Sequence, residues 1–193
     1  MSSTIKSGFL SLGNKTLLLA SYIALAVLLP DSFSSVNAYD LGDGRTVFEK
    51  APVLVRSAAS YPVAGSSSTY QFTIQVPEDA GEALGAVTIS QKENPEQINF
   101  DISKSKAFIG DSFAGGKDLS LADIGGSQID DSNEVTIVFD EPVEPGNTVT
   151  VSLRTKRNPR SGGIYLFGVT AYPEGENSSG LYLGSGQLHF LRH

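Results

Sequence analysis

Apolar side chains recur at every second position through much of the chain, which is the spacing of a β-strand with one buried face. The clearest run begins at Tyr70 and ends at Val76, where Pro77 interrupts it. The chain is therefore expected to be built from strands. Shorter runs of the same kind contain Val87 and Ile89; Ile98, Phe100 and Ile102; Val135, Ile137 and Phe139; and Val149, Val151 and Leu153.

Two C-terminal segments complete this pattern. Residues 164–172 are apolar on both faces and predict a central strand, whereas residues 181–191 predict a last strand that Gly184 and Gly186 bend or bulge. Seven or eight strands separated by Gly, Pro, Asn and Ser predict an all-β fold. We expect a single antiparallel β-sandwich domain, Ig-like or related, with a small β-barrel as the alternative.

The connections between the strands carry their own signals. Pro145 and Gly146 suit the two central positions of a type II turn, which predicts a hairpin between the runs before and after residues 142–147. Residues 78–84 have helical character limited by Gly81 to a turn or two. Residues 110–131, rich in Gly and Asp, are expected to be the longest loop region, and residues 39–49 an N-terminal arm.

The N-terminal residues have the composition of an export signal. Lys6 and Lys15 precede thirteen apolar residues at 17–29, and Val36 and Ala38 are small residues of the kind a signal peptidase reads. A membrane-spanning helix needs about 20 apolar residues. The sequence therefore predicts a cleaved signal peptide over residues 1–38, a mature domain over residues 39–193, and no membrane span after cleavage.

Cleavage would change the composition in an informative way. It removes two of fourteen basic and one of twenty-one acidic groups, which leaves twelve against twenty and a net charge of −8. That balance argues against a nucleic-acid partner. The remaining 155 residues are enough for one core, and with no Cys that core must hold the fold without disulfides.

Most catalytic chemistries lack their usual residues after cleavage. The mature chain has no Cys, Met or Trp, and its two histidines are His189 and His193. We expect His189, between Leu188 and Phe190, to face solvent rather than serve as a catalytic base. Soft-metal sites would need thiolate, thioether or clustered imidazole ligands. No catalytic residue and no cofactor is predicted, and a carboxylate-dependent hydrolase stays as an alternative.

Acidic clusters leave a hard-cation site open. Calcium takes six to eight oxygen ligands, and no cluster here matches an EF-hand loop. Acidic loops that keep the protein soluble are the simpler explanation. The calcium candidates are Asp118, Asp123, Asp130, Asp131 and Glu134.

Four of the twelve mature basic residues fall within seven positions. They are Arg154, Lys156, Arg157 and Arg160, and the first two share a strand face if the strand continues. Such a patch could bind a sulfated or uronic polysaccharide, or a phosphate-bearing envelope component. The alternative is a solvated strand end whose arginines pair with nearby carboxylates.

Tyrosines near the C terminus form a second candidate surface. Tyr165, Tyr172 and Tyr182 lie on or near the last two strands, and exposed rings in a row stack on sugars. Tyr165 and Phe167 share one strand face, so the alternative is that these rings belong to the core.

Six motifs occur in an order and spacing that resemble one family. The sequence is similar, over about residues 48–192, to the cyanobacterial exported family known as domain of unknown function 2808. The resemblance implies an exported, β-rich protein and brings no activity, ligand or catalytic set. The motifs are Ala51-Pro-Val-Leu, Pro77-Glu-Asp-Ala-Gly-Glu-Ala-Leu-Gly, Phe139-Asp-Glu-Pro-Val-Glu-Pro-Gly, Arg157-Asn-Pro-Arg, Gly163-Ile-Tyr-Leu-Phe-Gly-Val-Thr-Ala-Tyr-Pro and Gly180-Leu-Tyr-Leu-Gly-Ser-Gly-Gln-Leu-His-Phe.

These observations predict a non-catalytic exported β-sandwich that binds or braces a cell-envelope or extracellular component. The expected partner is an envelope polysaccharide or an envelope protein. The compartment would be the periplasm or the exterior, with the thylakoid lumen as a further destination. A calcium- or anionic-glycan-binding protein is the alternative function.

Overall fold

Ten strands make up the regular structure of the computed structural model, which describes residues 44–125 and 133–192. Among these residues there is no helix long and apolar enough to cross a membrane. The strands are β1 (Val53–Ala59), β2 (Ser68–Gln75), β3 (Leu84–Gln91), β4 (Phe100–Ile109), β5 (Lys117–Leu119), β6 (Leu121–Gly125), β7 (Glu134–Val143), β8 (Thr148–Thr155), β9 (Gly163–Pro173) and β10 (Leu181–Phe190).

The strands form two five-stranded antiparallel sheets. Sheet 1 has the order β1-β2-β8-β4-β5, and sheet 2 has the order β10-β9-β3-β7-β6. The predicted antiparallel β-sandwich is therefore confirmed, and the barrel alternative is not observed. The ten strands exceed the seven or eight predicted, because β1, β5 and β6 lie outside the seven segments that show the pattern; β5 and β6 have only three and five residues.

The core lies between the two sheets and is built from the alternating side chains. Tyr70, Phe72 and Ile74 of β2 are fully buried, as are Tyr165 and Phe167 of β9. The Phe72 and Phe167 ring centroids are 5.6 Å apart, so the sheets meet through their aromatic residues. Burying each such ring stabilises the fold by about 2 kcal/mol, and each ring pair adds about 1 kcal/mol.

The two lateral edges of the sandwich are joined in different ways. On one side β1 and β10 approach each other, and the backbone N–H of Gln187 donates to the Ser57 hydroxyl at 3.1 Å. Gly186 permits this approach, since a Cβ there would lie 2.8 Å from the Cβ of Ser57. On the other side Ser120 alone separates β5 of sheet 1 from β6 of sheet 2.

The turn after β7 is the predicted one, but the predicted hairpin is wrong. Asn147 N–H donates to the Glu144 carbonyl at 3.2 Å, and Gly146 has φ 84°, as a type II turn requires. The strands that it joins lie in different sheets, since β7 pairs with β3 and β6, and β8 pairs with β2 and β4. The turn therefore forms an arch between the sheets.

Two further predictions about connections need correction. Residues 110–131, expected to be a loop region, contain β5 and β6. Residues 78–84, expected to have helical character, form a turn that leads into β3. The predicted signal peptide at residues 1–38, and the predictions for residues 39–43 and 126–131, lie outside the described residues.

The predictions for the last two strands are confirmed. β9 lies between β10 and β3, and β10 has a bulge between Tyr182 and Gly184, where Gly184 adopts φ 118°. His189 is exposed, as the alternation of β10 predicts.

Candidate functional site

Three loops and the C terminus meet where β8 ends and β9 begins. We call this region the basic end; it comprises residues 60–67, 92–99, 156–162 and 191–192. Hydrogen bonds join its parts: Gly65 N–H donates to the Pro159 carbonyl at 3.1 Å, and Leu191 N–H donates to the Pro62 carbonyl at 2.8 Å. Its cations are Lys156, Arg157, Arg160 and Arg192, all exposed, together with Lys92.

Asn158 holds the basic end together from inside. The buried Tyr70 hydroxyl donates to Asn158 Oδ1 at 2.9 Å. Asn158 Nδ2 in turn donates to the carbonyls of Tyr61 at 2.7 Å and Val63 at 2.8 Å. Burial of the Asn158 and Tyr70 side chains makes these bonds costly to lose, because a buried polar group left unpaired keeps its desolvation penalty. These hydrogen bonds therefore hold residues 156–160, which carry three of the cations, in place.

Glu96 fastens the same segment from outside. Its two carboxylate oxygens accept hydrogen bonds from the backbone N–H groups of Arg160 and Ser161. The bond from Arg160 is the main cause that holds the pKa of Glu96 below its usual range, followed by the bonds from Ser161. The carboxylate is therefore ionised at neutral pH and occupied by backbone donors.

Two hollows of similar size open at the basic end, and the cations surround them; a smaller one of about 110 Å³ lies beside Lys92 and Glu96. One encloses about 350 Å³ between Glu96, Gln97 and Asn99 on one side and Lys156 to Pro159 on the other. The other encloses about 340 Å³ and is lined by Ala64, Gly65, Arg160 and Arg192. An anion in either hollow would meet guanidinium groups, which can bind a carboxylate or sulfate in bidentate fashion.

The cations around these hollows form no salt bridge within residues 44–125 and 133–192, although the charge of Arg160 contributes to the lowered pKa of Glu96. Salt bridges there involve Lys50, Lys104 and Lys106 instead. Lys156 acts at longer range on Asp101, whose pKa is lowered by a hydrogen bond from Ser103, by Lys104 and then by Lys156. The alternative, in which the arginines pair with nearby acids, is represented among the described residues only by longer-range attraction and not by a salt bridge.

Arg154 lies apart from this arrangement. β8 ends at Thr155, so the strand does not continue, and the condition under which Arg154 and Lys156 would share one strand face is not met. Arg154 projects from the outer face of sheet 1, where its Nη1 donates to Thr69 Oγ1 at 3.2 Å and its strand partner in β4 is Asp101. It does not line either hollow.

Comparison with known proteins gives a family and no function. Residues 45–190 match a family described as protein of unknown function (DUF2808). The chain belongs to this family. The match spans the basic end except Leu191 and Arg192, so it covers the first hollow fully and the second apart from Arg192, and it assigns neither a role. A comparison with curated proteins finds no match.

Several solved structures are similar to this DUF2808 chain in fold. An uncharacterised protein from Nocardia farcinica with an immunoglobulin-like fold has a TM-score of 0.45 and 13% identity, over 70% of this chain and 96% of the other. The bacterial hydrophobin BslA has 0.42 and 14%, over 74% and 100%. The collagen-binding subdomain ACE19 of the Enterococcus faecalis surface protein ACE has 0.41 and 12%, over 74% and 95%.

The tyrosine candidates separate into two environments. Tyr165 is fully buried, its ring lies 5.3 Å from that of Phe190, and its hydroxyl donates to the Ser161 carbonyl, so it cannot stack on a sugar. Tyr172 lies on the outer face of sheet 2 and is partly exposed. Tyr182 is exposed, with Lys92 Nζ 5.0 Å from its ring centroid.

The calcium candidates do not converge where they can be followed. Asp118 is exposed and pairs with Lys106 at 3.3 Å. Asp123 lies in β6 and Glu134 opens β7, whereas Asp130 and Asp131 fall outside the described residues. Within the described part of the chain, no three His, Cys, Asp or Glu side chains are grouped to hold a metal.

Sequence reasoning missed the residues that reach the site from other segments. Glu96 comes from the β3–β4 connection and Arg192 from the C terminus, each far from residues 156–160 in the chain. No local sequence pattern identifies either residue as part of the site. Asn158 did carry a signal, because it lies within the Arg157-Asn-Pro-Arg motif, although its role is structural.

Proposed function

We propose that this protein is an exported, non-catalytic binding protein whose basic end holds an anionic polysaccharide of the cell envelope or its surroundings. The observation that carries this proposal is the set of exposed cations without salt bridges in the described structure, Lys156, Arg157, Arg160 and Arg192, around two open hollows. Export is part of the proposal, since residues 1–38 have the composition of a signal peptide.

A polymer suits this end better than a small anion. Each exposed ion pair contributes only about 0.2 to 1 kcal/mol, so one anion bound by one or two cations would dissociate readily. A repeating uronic or sulfated chain can contact the cations around both hollows at once, and linked contacts raise the overall affinity. The spacing of cations over two hollows therefore favours a polyanion.

The hydrogen bonds that hold the backbone of the basic end in place support the same function. Asn158 and Glu96 position the backbone of residues 157–161 before any ligand arrives. Less conformational entropy is then lost on binding, which leaves more of the contact energy for affinity. Only the side chains of the cations then lose conformational freedom when the ligand binds.

The acidic residues elsewhere on the protein do not prevent such binding. β2 has eight residues, and at about 3.3 Å per residue it separates the two ends of the sandwich by roughly 26 Å. The Debye length at physiological salt is about 8 Å, so carboxylates at the far end are screened from a ligand at the basic end.

The test compares two charge-reversed variants of equal net charge. Arg157→Glu with Arg160→Glu should weaken binding to immobilised dextran sulfate and polygalacturonate by about tenfold or more. Lys50→Glu with Lys117→Glu, which reverses two cations away from the hollows, should leave that binding nearly unchanged. Unsubstituted dextran should bind neither variant nor the unaltered mature protein.

Two results would overturn the proposal. One is equal weakening by both variants, which would mean that net charge alone governs binding. The other is absence of binding by the unaltered mature protein to both anionic polymers at low and at physiological salt. Circular dichroism and thermal unfolding of each variant establish that it is folded before binding is compared.

A further inference from the structure

A groove on the outer face of sheet 2 lies near the opposite end of the sandwich from the basic end. It encloses about 470 Å³ over β3, β7 and the end of β9. Ala86 and Val138 are register partners on its floor, and Thr88 and Thr136 are partners two residues further along the strands. We call it the outer groove. The function proposed for the basic end does not involve it.

The floor of the outer groove has few free hydrogen-bonding groups. The hydroxyls of Thr88 and Thr136 bond to each other at 2.8 Å, so each has already found a partner. Ala86 and Val138 are aliphatic and partly exposed. A ligand that lies on this floor therefore gains from apolar contact more than from hydrogen bonds.

The walls of the outer groove are fixed by close packing. The Tyr172 ring packs against Gly180, where a Cβ would lie 2.6 Å from the ring, so no larger residue fits there without displacement. Gly85 allows the chain at Glu174 to approach β3, since a Cβ there would lie 3.1 Å from the Glu174 Cα. Pro142 and Pro173 complete the walls.

The rim of the outer groove carries unneutralised negative charge. Asp140 and Glu174 line it, are exposed, and form no salt bridge within residues 44–125 and 133–192. None of the side chains around the groove is basic. An aliphatic floor beneath two carboxylates matches the side chain of Lys or Arg, whose stem is apolar and whose tip is a cation.

We propose that the outer groove binds a basic peptide segment of a partner protein. A Lys or Arg stem lies on the floor at Ala86 and Val138, and its cation contacts the carboxylates of Asp140 and Glu174. A neutral sugar fits less well, because the floor hydroxyls are bonded to each other and sugar hydroxyls would not neutralise the rim. A net charge of −8 on the mature chain also favours a cationic partner.

The experiment uses the mature protein and fluorescein-labelled penta-lysine, followed by fluorescence anisotropy at 50 mM and 150 mM salt. Asp140→Asn with Glu174→Gln is nearly isosteric and changes exposed side chains, and it should weaken binding roughly tenfold. The matched control is Glu78→Gln with Glu144→Gln, exposed carboxylates of the same end outside the groove, which should change binding less than twofold.

A third variant separates apolar contact from charge attraction. Ala86→Leu fills the floor while leaving both rim carboxylates in place, and it should weaken penta-lysine binding severalfold. Thermal unfolding checks that each variant is folded. The proposal is overturned if the control variant loses as much affinity as the rim variant, if Ala86→Leu and the rim variant both bind normally, or if maltohexaose binds the groove and penta-lysine does not.

Discussion

The basic end and the end opposite to it differ in charge and in the contacts that hold them. At the basic end a buried asparagine and a hydrogen-bonded glutamate fix the loops, whereas the opposite, acidic end has the exposed Lys50–Asp79 pair at 2.9 Å. The acidic end comprises residues 44–50, 76–83, 140–147 and 174–180. Its exposed carboxylates are Glu49, Glu78, Asp79, Asp140, Glu141, Glu144, Glu174 and Glu176.

The comparison shows that one sandwich can hold its charged loops in two ways, by buried and ionised side chains at the basic end and by backbone hydrogen bonds such as Glu49 N–H to the Ala80 carbonyl at the acidic end. Cations on a backbone that is already held in place lose little conformational entropy on binding. They suit a ligand that is recognised by the positions of its charged groups. Carboxylates on exposed turns contribute a field that attracts cations without placing them precisely. The outer groove is the exception, since Gly85 and Gly180 fix the walls beside its carboxylates.

The largest expected effect comes from removing the internal support of the basic end. Asn158→Ala deletes three side-chain hydrogen bonds, of which the one from the Tyr70 hydroxyl is buried and the two to carbonyls are partly buried. The Val63 carbonyl keeps a hydrogen bond from Ser66 N–H at 3.2 Å, so the main cost falls on the Tyr70 hydroxyl and the Tyr61 carbonyl. We expect a loss of about 3 kcal/mol in the free energy of unfolding, or roughly 10 °C in the thermal midpoint. Asn99→Ala, which truncates an exposed asparagine of the same hollow, serves as the control and should shift the midpoint little.

Alkaline pH should destabilise the protein through the tyrosine beneath the basic end. Burial raises the pKa of Tyr70 far above its usual value, and burial also raises the pKa of Tyr165. Only the unfolded chain then releases these protons as pH passes about 10, so stability is full below pH 10 and falls above it. Urea unfolding from pH 8 to 11 measures this. Tyr70→Phe should flatten the fall, and an unchanged slope would assign it elsewhere.

Glutamates at the two ends should respond to acid in opposite directions. Burial, then Glu174 and Glu49, raise the pKa of Glu82 at the acidic end, so its ionised form costs stability at neutral pH and that cost disappears as pH falls. The lowered pKa of Glu96 gives stability that is present above about pH 4.3 and lost on further acidification.

Neutral amide variants test this contrast at both ends. Glu82→Gln should raise the urea midpoint at pH 7, with the gain vanishing near pH 4. Glu96→Gln should lower the midpoint at pH 7, with the loss shrinking as pH falls below 4. Two variants with the same pH dependence would contradict the distinction between the ends.

The smallest effect is expected from the salt bridge of the acidic end. Asp79 and Lys50 are both largely exposed, and the pair holds the pKa of Asp79 below its usual range by a hydrogen bond from Lys50. Exposed pairs contribute little after solvent screening. Asp79→Asn should therefore unfold at the same temperature as the unaltered protein within the error of a thermal scan, and a shift comparable to that of Asn158→Ala would break the comparison.

Much of the fold followed from side-chain alternation, and the errors came from pairing. The run from Tyr70 to Val76 predicts β2 and its buried face directly. The turn at Pro145 and Gly146 is predicted correctly because φ preferences act locally, but the hairpin is wrong because β7 and β8 pair with strands of different sheets. β5 has three residues, too few for a periodic signal to emerge from residues 110–131.

The candidate site was predictable only where its residues are neighbours in sequence. Lys156, Arg157 and Arg160 form a visible run, whereas Glu96 and Arg192 join them through tertiary contacts that no local pattern records. Tyr165 lies on the same strand face as Phe167, and this alternation favours burial of Tyr165 in the core over stacking on a sugar. The outer groove arises from moderately apolar residues of three strands, each unremarkable alone.

The arch between β7 and β8 bears on how quickly the chain can reach its native state. Because these successive strands enter different layers, β8 must find β2, and the Thr73 and Thr150 hydroxyls that meet at 3.0 Å are 77 positions apart. Closing such long loops costs chain entropy before the contacts between the strands can form and stabilise them. Refolding is therefore expected on the millisecond to second timescale. We also expect neither sheet to stay folded when the other is unfolded.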